Sequence, residues 1–107
     1  MEISQYQIIL VSLDVAAGKT AVKTHLCLVI SPDEMNKFLR TITVAPLTSD
    51  NTGYPTRIKI KYNDKISRVV LDQITTIEKQ KIVKVLGELS GPEIKKLKAV
   101  LKETFID

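Results

Sequence analysis

The sequence has little of the residue types that build metal sites or cross-links. Its 107 residues include one cysteine, Cys27, and one histidine, His25. A single cysteine excludes an intramolecular disulfide and a cysteine-rich zinc site. With a single histidine, the ligands of any metal site would have to be mainly carboxylates. The carboxylates do not show the spacing of a calcium-binding loop. We therefore expect neither a metal nor another cofactor.

Aromatic residues and long apolar runs are also scarce. Aromatics make up 5% of the chain, which excludes the extensive base stacking used by general single-strand binders. The longest apolar stretches, such as residues 26–30, fall far short of the roughly 20 residues that cross a bilayer. The first residues lack a basic segment followed by a cleavage site, so we expect no secretory signal, no membrane partner and a cytoplasmic location.

The chain does contain enough apolar residues for a core and a modest excess of positive charge. Hydrophobic residues make up 44% of it, and 16 Lys and Arg against 12 Asp and Glu give a net charge of +4. We expect one domain over residues 1–107. A chain this short has a thin stability margin, so we also expect a homodimer. The positive charge favours an anionic partner without identifying it.

Apolar and alternating segments predict a mainly β fold with an antiparallel sheet and short helices. Strands are predicted at residues 6–13, 24–30, 40–47, 56–62, 67–71 and 85–89. Residues 14–23 and 48–55 predict surface loops. Within 56–62, alternation sets Ile58, Ile60 and Tyr62 on one face and Arg57, Lys59 and Lys61 on the other. These cations either form a stripe that binds phosphates or protect an edge strand from aggregation.

Two capping patterns predict helices. Ser31 as cap, with Pro32 and Glu34, predicts a short helix through about residue 38. Ser90 and Glu93 predict a C-terminal amphipathic helix. Its apolar stripe is predicted at Ile94, Leu97, Val100, Leu101 and Phe105. The charged segment 77–83 predicts one more short helix.

Five short phrases, in order along the chain, carry a family resemblance. They are Leu13-Asp14 with Gly18, K-T-H-L-C-L-V-I-S-P-D-E-M-N at 23–36, V-A-P-L-T-S at 44–49, Y-P-T-R at 54–57 and L-D-Q-I-T-T-I at 71–77. Together they resemble the MazF/PemK toxins, endoribonucleases of type II toxin–antitoxin systems. The resemblance covers nearly the whole chain. It implies a small, twisted SH3-like barrel, a homodimer, a cognate MazE/PemI-like antitoxin, and metal-independent, sequence-specific cleavage of single-stranded RNA.

The resemblance also implies a catalytic site of His25, Thr48 and Asp72. Metal-free RNA cleavage needs a base for the 2′-OH proton, a group for the charge on phosphorus and an acid for the 5′-oxygen. Asp72 is the candidate base, with a turn cap as its alternative role. His25 is the candidate acid or phosphate donor, since imidazoles exchange protons near neutrality, and a half-buried strand histidine is the alternative. The Thr48 hydroxyl is expected to bond phosphate oxygens.

Further RNA contacts are predicted at Lys19, Lys23, Ser49, Arg57, Gln73 and Thr75. The sequence departs from the family at two of the site positions, where His25 and Thr75 stand in place of arginine. A neutral imidazole does not replace a permanently charged, bidentate guanidinium. Attenuated activity is therefore one interpretation of His25.

Two other functions stay open. One is a non-enzymatic inhibitor of DNA gyrase, as the CcdB toxins are on a similar fold. Those toxins act through C-terminal residues, whereas residues 105–107 here follow a helix that we expect to be committed to the core. The other is an inactive family member that binds and titrates an antitoxin.

Overall fold

The computed structural model describes residues 2–13, 23–49 and 57–106. The predicted loop at 14–22, with Lys19, and most of the loop at 48–55 lie outside these ranges. Within them the elements are β1 (Gln7–Leu13), β2 (Lys23–Val29), α1 (Asp33–Phe38), β3 (Thr41–Thr48), β4 (Arg57–Tyr62), β5 (Lys65–Val70), β6 (Thr75–Glu78), β7 (Ile82–Glu88) and α2 (Gly91–Leu101).

The strands form an antiparallel sheet in the order β4-β5-β3-β2-β1-β7, with β6 also paired to β3. On one edge β3 pairs with β2, and on the other it pairs with β6 and then β5. Val44 marks this arrangement, because it lies opposite both Val29 and Thr75. The sheet curls into a half-barrel. The predicted mainly β fold with a C-terminal helix is confirmed.

The two faces of the sheet bury separate apolar clusters. One cluster, which we call the β6–β7 cluster, also packs against Ile77 of β6 and Ile82 and Val85 of β7. Its main members are Ile9, Val11, Cys27, Val29, Ile42 and Val44. The other, which we call the α2 cluster, includes Leu28, Val69 and the fully buried Leu97 of α2. The period-2 alternation of β1, β2 and β3 therefore contributes to both cores.

Helix α2 begins with the predicted capping box. Glu93 N donates to Ser90 Oγ at 3.3 Å, and Ser90 N donates to Glu93 Oε1 at 2.9 Å. Lys61 N of the outermost strand β4 donates to Glu93 Oε2 at 2.8 Å. Burial alone would raise the pKa of Glu93, but these bonds from Ser90 and Lys61 lower it below its ordinary value. One carboxylate thus caps the helix and ties β4 to it.

The helix predicted at 77–83 is wrong. Residues 75–78 form β6, a 3-10 turn spans Lys79–Lys81, and β7 begins at Ile82. The reason is long-range, because β6 pairs with β3 and β7 pairs with β1. Pairing of these strands, and packing of Ile77 and Ile82 against the β6–β7 cluster, outweigh local propensity.

The predicted cap of α1 is also wrong. Pro32 occupies the cap position, with no side-chain cap bond. The buried Ser31 hydroxyl instead donates to Asn36 Oδ1 and accepts from Thr43 N at 3.1 Å. Asn36 Nδ2 returns a bond of 2.8 Å to the Ser31 carbonyl oxygen. The serine therefore fastens α1 to β3.

Phe105 does not join the apolar stripe of α2, and 57% of it is exposed. The helix changes at Lys102–Ile106 to a wider π-type turn. Bonds from i to i+5 in such a turn rotate later side chains away from the α-helical stripe.

None of the described helices is long and apolar enough to cross a membrane.

Candidate active site

Several candidate residues lie at one end of the sheet, which we call the open end. Here β1 ends, β2 begins, β3 ends and β5 begins. The opposite end carries α1 and the Ser31–Asn36–Thr43 bonds, and we call it the pinned end. Antiparallel pairing of β1, β2 and β3 dictates this division.

His25 and Thr48 occupy matching positions on β2 and β3. Recorded pairing between these strands ends at Cys27 opposite Pro46. Because side chains alternate, the next residues of that face are His25 on one strand and Thr48 on the other. Two residues correspond to about 7 Å of strand. Both therefore lie just beyond the β6–β7 cluster, at the open end of the sheet.

The same face continues across the next two strands. Thr48 pairs with Arg68 of β5, and Arg68 pairs with Lys59 of β4. We call His25, Thr48, Arg68 and Lys59 the cross-strand row. His25 and Lys59 are exposed, whereas Thr48 and Arg68 are half-buried. A hydroxyl is thus flanked by an imidazole on one side and a guanidinium on the other.

Asp72 and Gln73 lie in a 3-10 turn, Leu71–Gln73, between β5 and β6. Val69 lies opposite Leu47, and Thr75, six residues later, lies opposite Val44, only three residues away on β3. Between these two pairs the chain from β5 to β6 is therefore three residues longer than the segment of β3 that it lies beside. Leu71 is fully buried and anchors the turn, while Asp72 and Gln73 are exposed. The turn faces residues 45–46 of β3, about 7 Å along the strand from Thr48.

The remaining predicted contacts are more scattered. Ser49 directly follows β3 and is exposed. Lys23 lies opposite Leu13 at the start of β2 and is an open-end residue. Arg57 lies opposite Val70, two residues along β4 from Lys59 in the direction of the pinned end. Thr75 lies opposite Val44, about 14 Å along β3 from Thr48. Among the described candidates, Thr75 therefore lies farthest from the row.

Arg68 is a site residue that the sequence reasoning missed. A local signal for it exists, because Asn63 and Asp64 adopt positive φ values of 51° and 62°, as a two-residue hairpin turn requires. Such a turn fixes the register with Tyr62 opposite Lys65, and hence Lys59 opposite Arg68. The sequence predicts strands at residues 56–62 and 67–71, but the strand pattern alone does not give the pairing of their residues.

Other features of the surface lie away from the row. A cavity of about 680 Å³ lies at the pinned end, and Phe38, Arg40 and Lys79 are among the residues that line it. Across the described ranges, no group of three or more His, Cys, Asp or Glu side chains is placed to hold a metal ion. Thr48, Arg68 and Asp72 each have an interaction partner.

The fold and the row define a class: a small antiparallel half-barrel whose open end presents a hydroxyl, an imidazole and guanidinium or ammonium groups. The chain belongs to the family of PemK-like, MazF-like toxins of type II toxin–antitoxin systems, whose model matches residues 4–105. The family resemblance found in the sequence is confirmed. No curated protein sequence matches the chain.

Solved structures of the same fold are similar over nearly the whole chain. MazE-MazF from Deinococcus radiodurans has a TM-score of 0.79 at 17% identity and covers 96% of this chain and 95% of that one. Mycobacterium tuberculosis toxin MazF-mt6 has a TM-score of 0.76 at 22% identity, with 92% and 95% covered. An endoribonuclease in complex with its cognate antitoxin, from a mycobacterial species, has a TM-score of 0.74 at 20% identity, with 95% and 91% covered. At these identities the likeness concerns the fold.

Proposed function

We propose that this toxin is an endoribonuclease that cleaves single-stranded RNA without a metal ion. The observation that carries the proposal is the cross-strand row, in which Thr48 stands between His25 and Arg68 beside the exposed Asp72 turn. A solved relative of the same fold is itself an endoribonuclease from a mycobacterial species. A hydroxyl, an imidazole and a carboxylate within one surface match the needs of metal-free phosphodiester cleavage.

The proposed chemistry is transfer of the phosphodiester to the neighbouring 2′-oxygen. Asp72 removes the 2′-OH proton, and the 2′-oxygen attacks phosphorus. The P–O5′ bond breaks, and the 5′-oxygen takes a proton from His25. Thr48 donates to a phosphate oxygen. The products are a 2′,3′-cyclic phosphate and a 5′-hydroxyl end.

The remaining RNA contacts are proposed along the open end and beside the row. Lys23 and Ser49 lie at this end, and Arg57 and Gln73 lie nearer the pinned end, with Lys19 as a further contact outside the described residues. Thr75 is the contact farthest from the row. Lys59 and Lys61 are exposed on the face of β4 that bears the row, opposite the buried Ile58 and Ile60. Backbone contacts from these cations add affinity that falls with salt.

The proposed partners are a second copy of the chain and a cognate antitoxin, acting in the cytoplasm. Solved relatives include toxins in complex with MazE or another cognate antitoxin. An antitoxin with an acidic segment would complement the exposed cations of the open end and exclude RNA from it.

Incubation of the purified protein with a long RNA in excess EDTA tests the proposal. We expect discrete fragments with 2′,3′-cyclic phosphate and 5′-hydroxyl ends, identified by mass spectrometry. A preparation carrying Thr48→Val and Asp72→Asn is the control for contaminating ribonuclease. Absence of discrete cleavage at high protein excess, or equal cleavage by the control, would contradict the proposal.

One observation favours a second candidate, a toxin that inhibits a protein target such as DNA gyrase. Phe105 is 57% exposed near the C-terminus rather than committed to the core. Exposed aromatic residues are typical anchors of protein interfaces. Phe105→Ala separates the two functions: loss of growth inhibition with unchanged RNA cleavage would favour the protein target, and unchanged inhibition would exclude it.

A further inference from the structure

The row contains a cation whose position suits the reaction better than the other charged groups beside it. Arg68 is paired directly with Thr48, whereas Lys59 lies one strand farther away. Arg68 is also half-buried, while Lys59 is exposed. A guanidinium held by its surroundings loses less freedom on binding phosphate than an exposed lysine.

The chemistry of the site requires such a group. Charge that develops on the phosphate oxygens is best stabilised by a preorganised cation, and His25 is already used as the acid. The His25 imidazolium loses its charge with the proton that it transfers, and Thr48 supplies only a neutral donor. A guanidinium fork can bond two phosphate oxygens at once, next to the Thr48 hydroxyl.

We propose that Arg68 is the phosphate-binding catalytic residue of this site, its guanidinium holding the non-bridging oxygens of the scissile phosphate beside Thr48, which leaves His25 to transfer the proton. This inference rests on the proposed ribonuclease function. It divides two tasks between two side chains on opposite sides of one threonine. The β4–β5 hairpin positions the arginine, and β2 positions the histidine.

Single-turnover cleavage by Arg68 variants tests the assignment. The scissile site is first mapped on a long RNA and then placed in a synthetic oligonucleotide. We expect Arg68→Gln to slow cleavage by about 100-fold or more, the effect of losing one preorganised donor to a developing oxyanion. Arg68→Lys keeps the charge but loses the fork, and we expect a drop of at least about tenfold. The matched control Lys65→Gln removes one exposed charge from the start of the same strand and is expected to change the rate only a few-fold.

An RNA with sulfur in place of the scissile 5′-oxygen separates the two tasks, because a thiolate leaves without a proton from an acid. We expect this substrate to restore the rate of His25→Ala to near that of the unmodified protein. The defect of Arg68→Gln is expected to persist on it, which a loss of acid catalysis would not produce. A sulfur substrate that rescues Arg68→Gln as fully as His25→Ala would overturn the assignment.

The outcomes distinguish the two levels of the proposal. No cleavage by the unmodified protein overturns the ribonuclease function and this inference with it. If the unmodified protein cleaves RNA and Arg68→Gln cleaves it at the same rate, this inference alone is overturned. If Arg68→Gln does not fold, as judged by circular dichroism, Arg68→Lys decides, and an unchanged rate for that variant counts against Arg68.

Discussion

The two ends of strand β3 use polar side chains in opposite ways. At the pinned end Ser31 and Asn36 are 3% and 2% exposed, and they bond to each other and to Thr43 N. At the open end His25 and Lys59 are exposed to solvent. Both ends are rich in hydroxyl and amide or cationic groups, so composition alone does not distinguish them.

The difference shows how a small fold separates stability from activity. Buried polar groups must bond within the protein, because leaving one unsatisfied costs about 1–3 kcal/mol. Exposed groups carry no such requirement and remain available for a ligand. We therefore expect substitutions at the pinned end to change stability and those at the open end to change RNA cleavage.

The largest expected effect is on activity, from Asp72→Asn at the open end. The amide keeps the size of the side chain but cannot accept the 2′-OH proton, so the single-turnover cleavage rate should fall about 10²- to 10⁴-fold. The free energy of unfolding should stay within about 0.5 kcal/mol, since the residue is exposed. Asp64→Asn, the same change in an exposed hairpin turn, is the matched control. Equal rates for the two variants would remove Asp72 from the mechanism.

A smaller effect of the opposite kind is expected from Asn36→Ala at the pinned end. Loss of the amide leaves the buried Ser31 hydroxyl and carbonyl without these partners, so urea unfolding should show about 1–3 kcal/mol of destabilisation. The cleavage rate of the folded protein should not change. Lys37→Ala, at the next and exposed position, should cost less than about 0.5 kcal/mol. A change in cleavage rate with unchanged stability would break the division between the ends.

The smallest expected effect is a pH dependence of stability from Glu93. Its carboxylate accepts a hydrogen bond from Lys61 N of β4, the strand that pairs with Arg68 of β5. The pKa of Glu93 is lower in the folded protein than its ordinary value. Such a carboxylate stabilises the fold above its ordinary pKa, about 4.3, and loses that contribution as pH falls through the folded pKa. Glu93→Gln should therefore be less stable than the unmodified protein near pH 7, and the gap should narrow below about pH 4. A gap independent of pH would contradict this.

Features set by neighbouring residues could be predicted from the sequence. The alternation of Ile58 and Ile60 with Lys59 and Lys61 is local, and burial confirms it. The Ser90–Glu93 capping box spans one helical turn and was also predicted correctly. The register of the β4–β5 hairpin follows from its turn residues, so Arg68 was within reach of the same reasoning.

Features set by distant residues could not be predicted in this way. β6 and β7 exist because β3 and β1 offer them pairing edges. Thr48 was expected in a loop, but it is a strand residue, and pairing with Arg68 extends β3 to include it. The matching of His25 with Thr48 depends on the β2–β3 register, which α1 and the buried Ser31–Asn36 bonds set and no turn motif encodes. The family resemblance supplied these site residues where local patterns did not.

The position of Cys27 makes this molecule its own reporter. The residue is 7% exposed, and burial raises the pKa of its thiol to about 11, so the reactive thiolate is scarce in the folded protein. It lies two residues from His25, toward the pinned end, on the same face of β2. As the sole cysteine, it would give one labelling rate, which measures how often the structure around it opens. RNA or an antitoxin segment bound over the cross-strand row would slow the labelling, so occupancy can be followed without introducing another reactive residue.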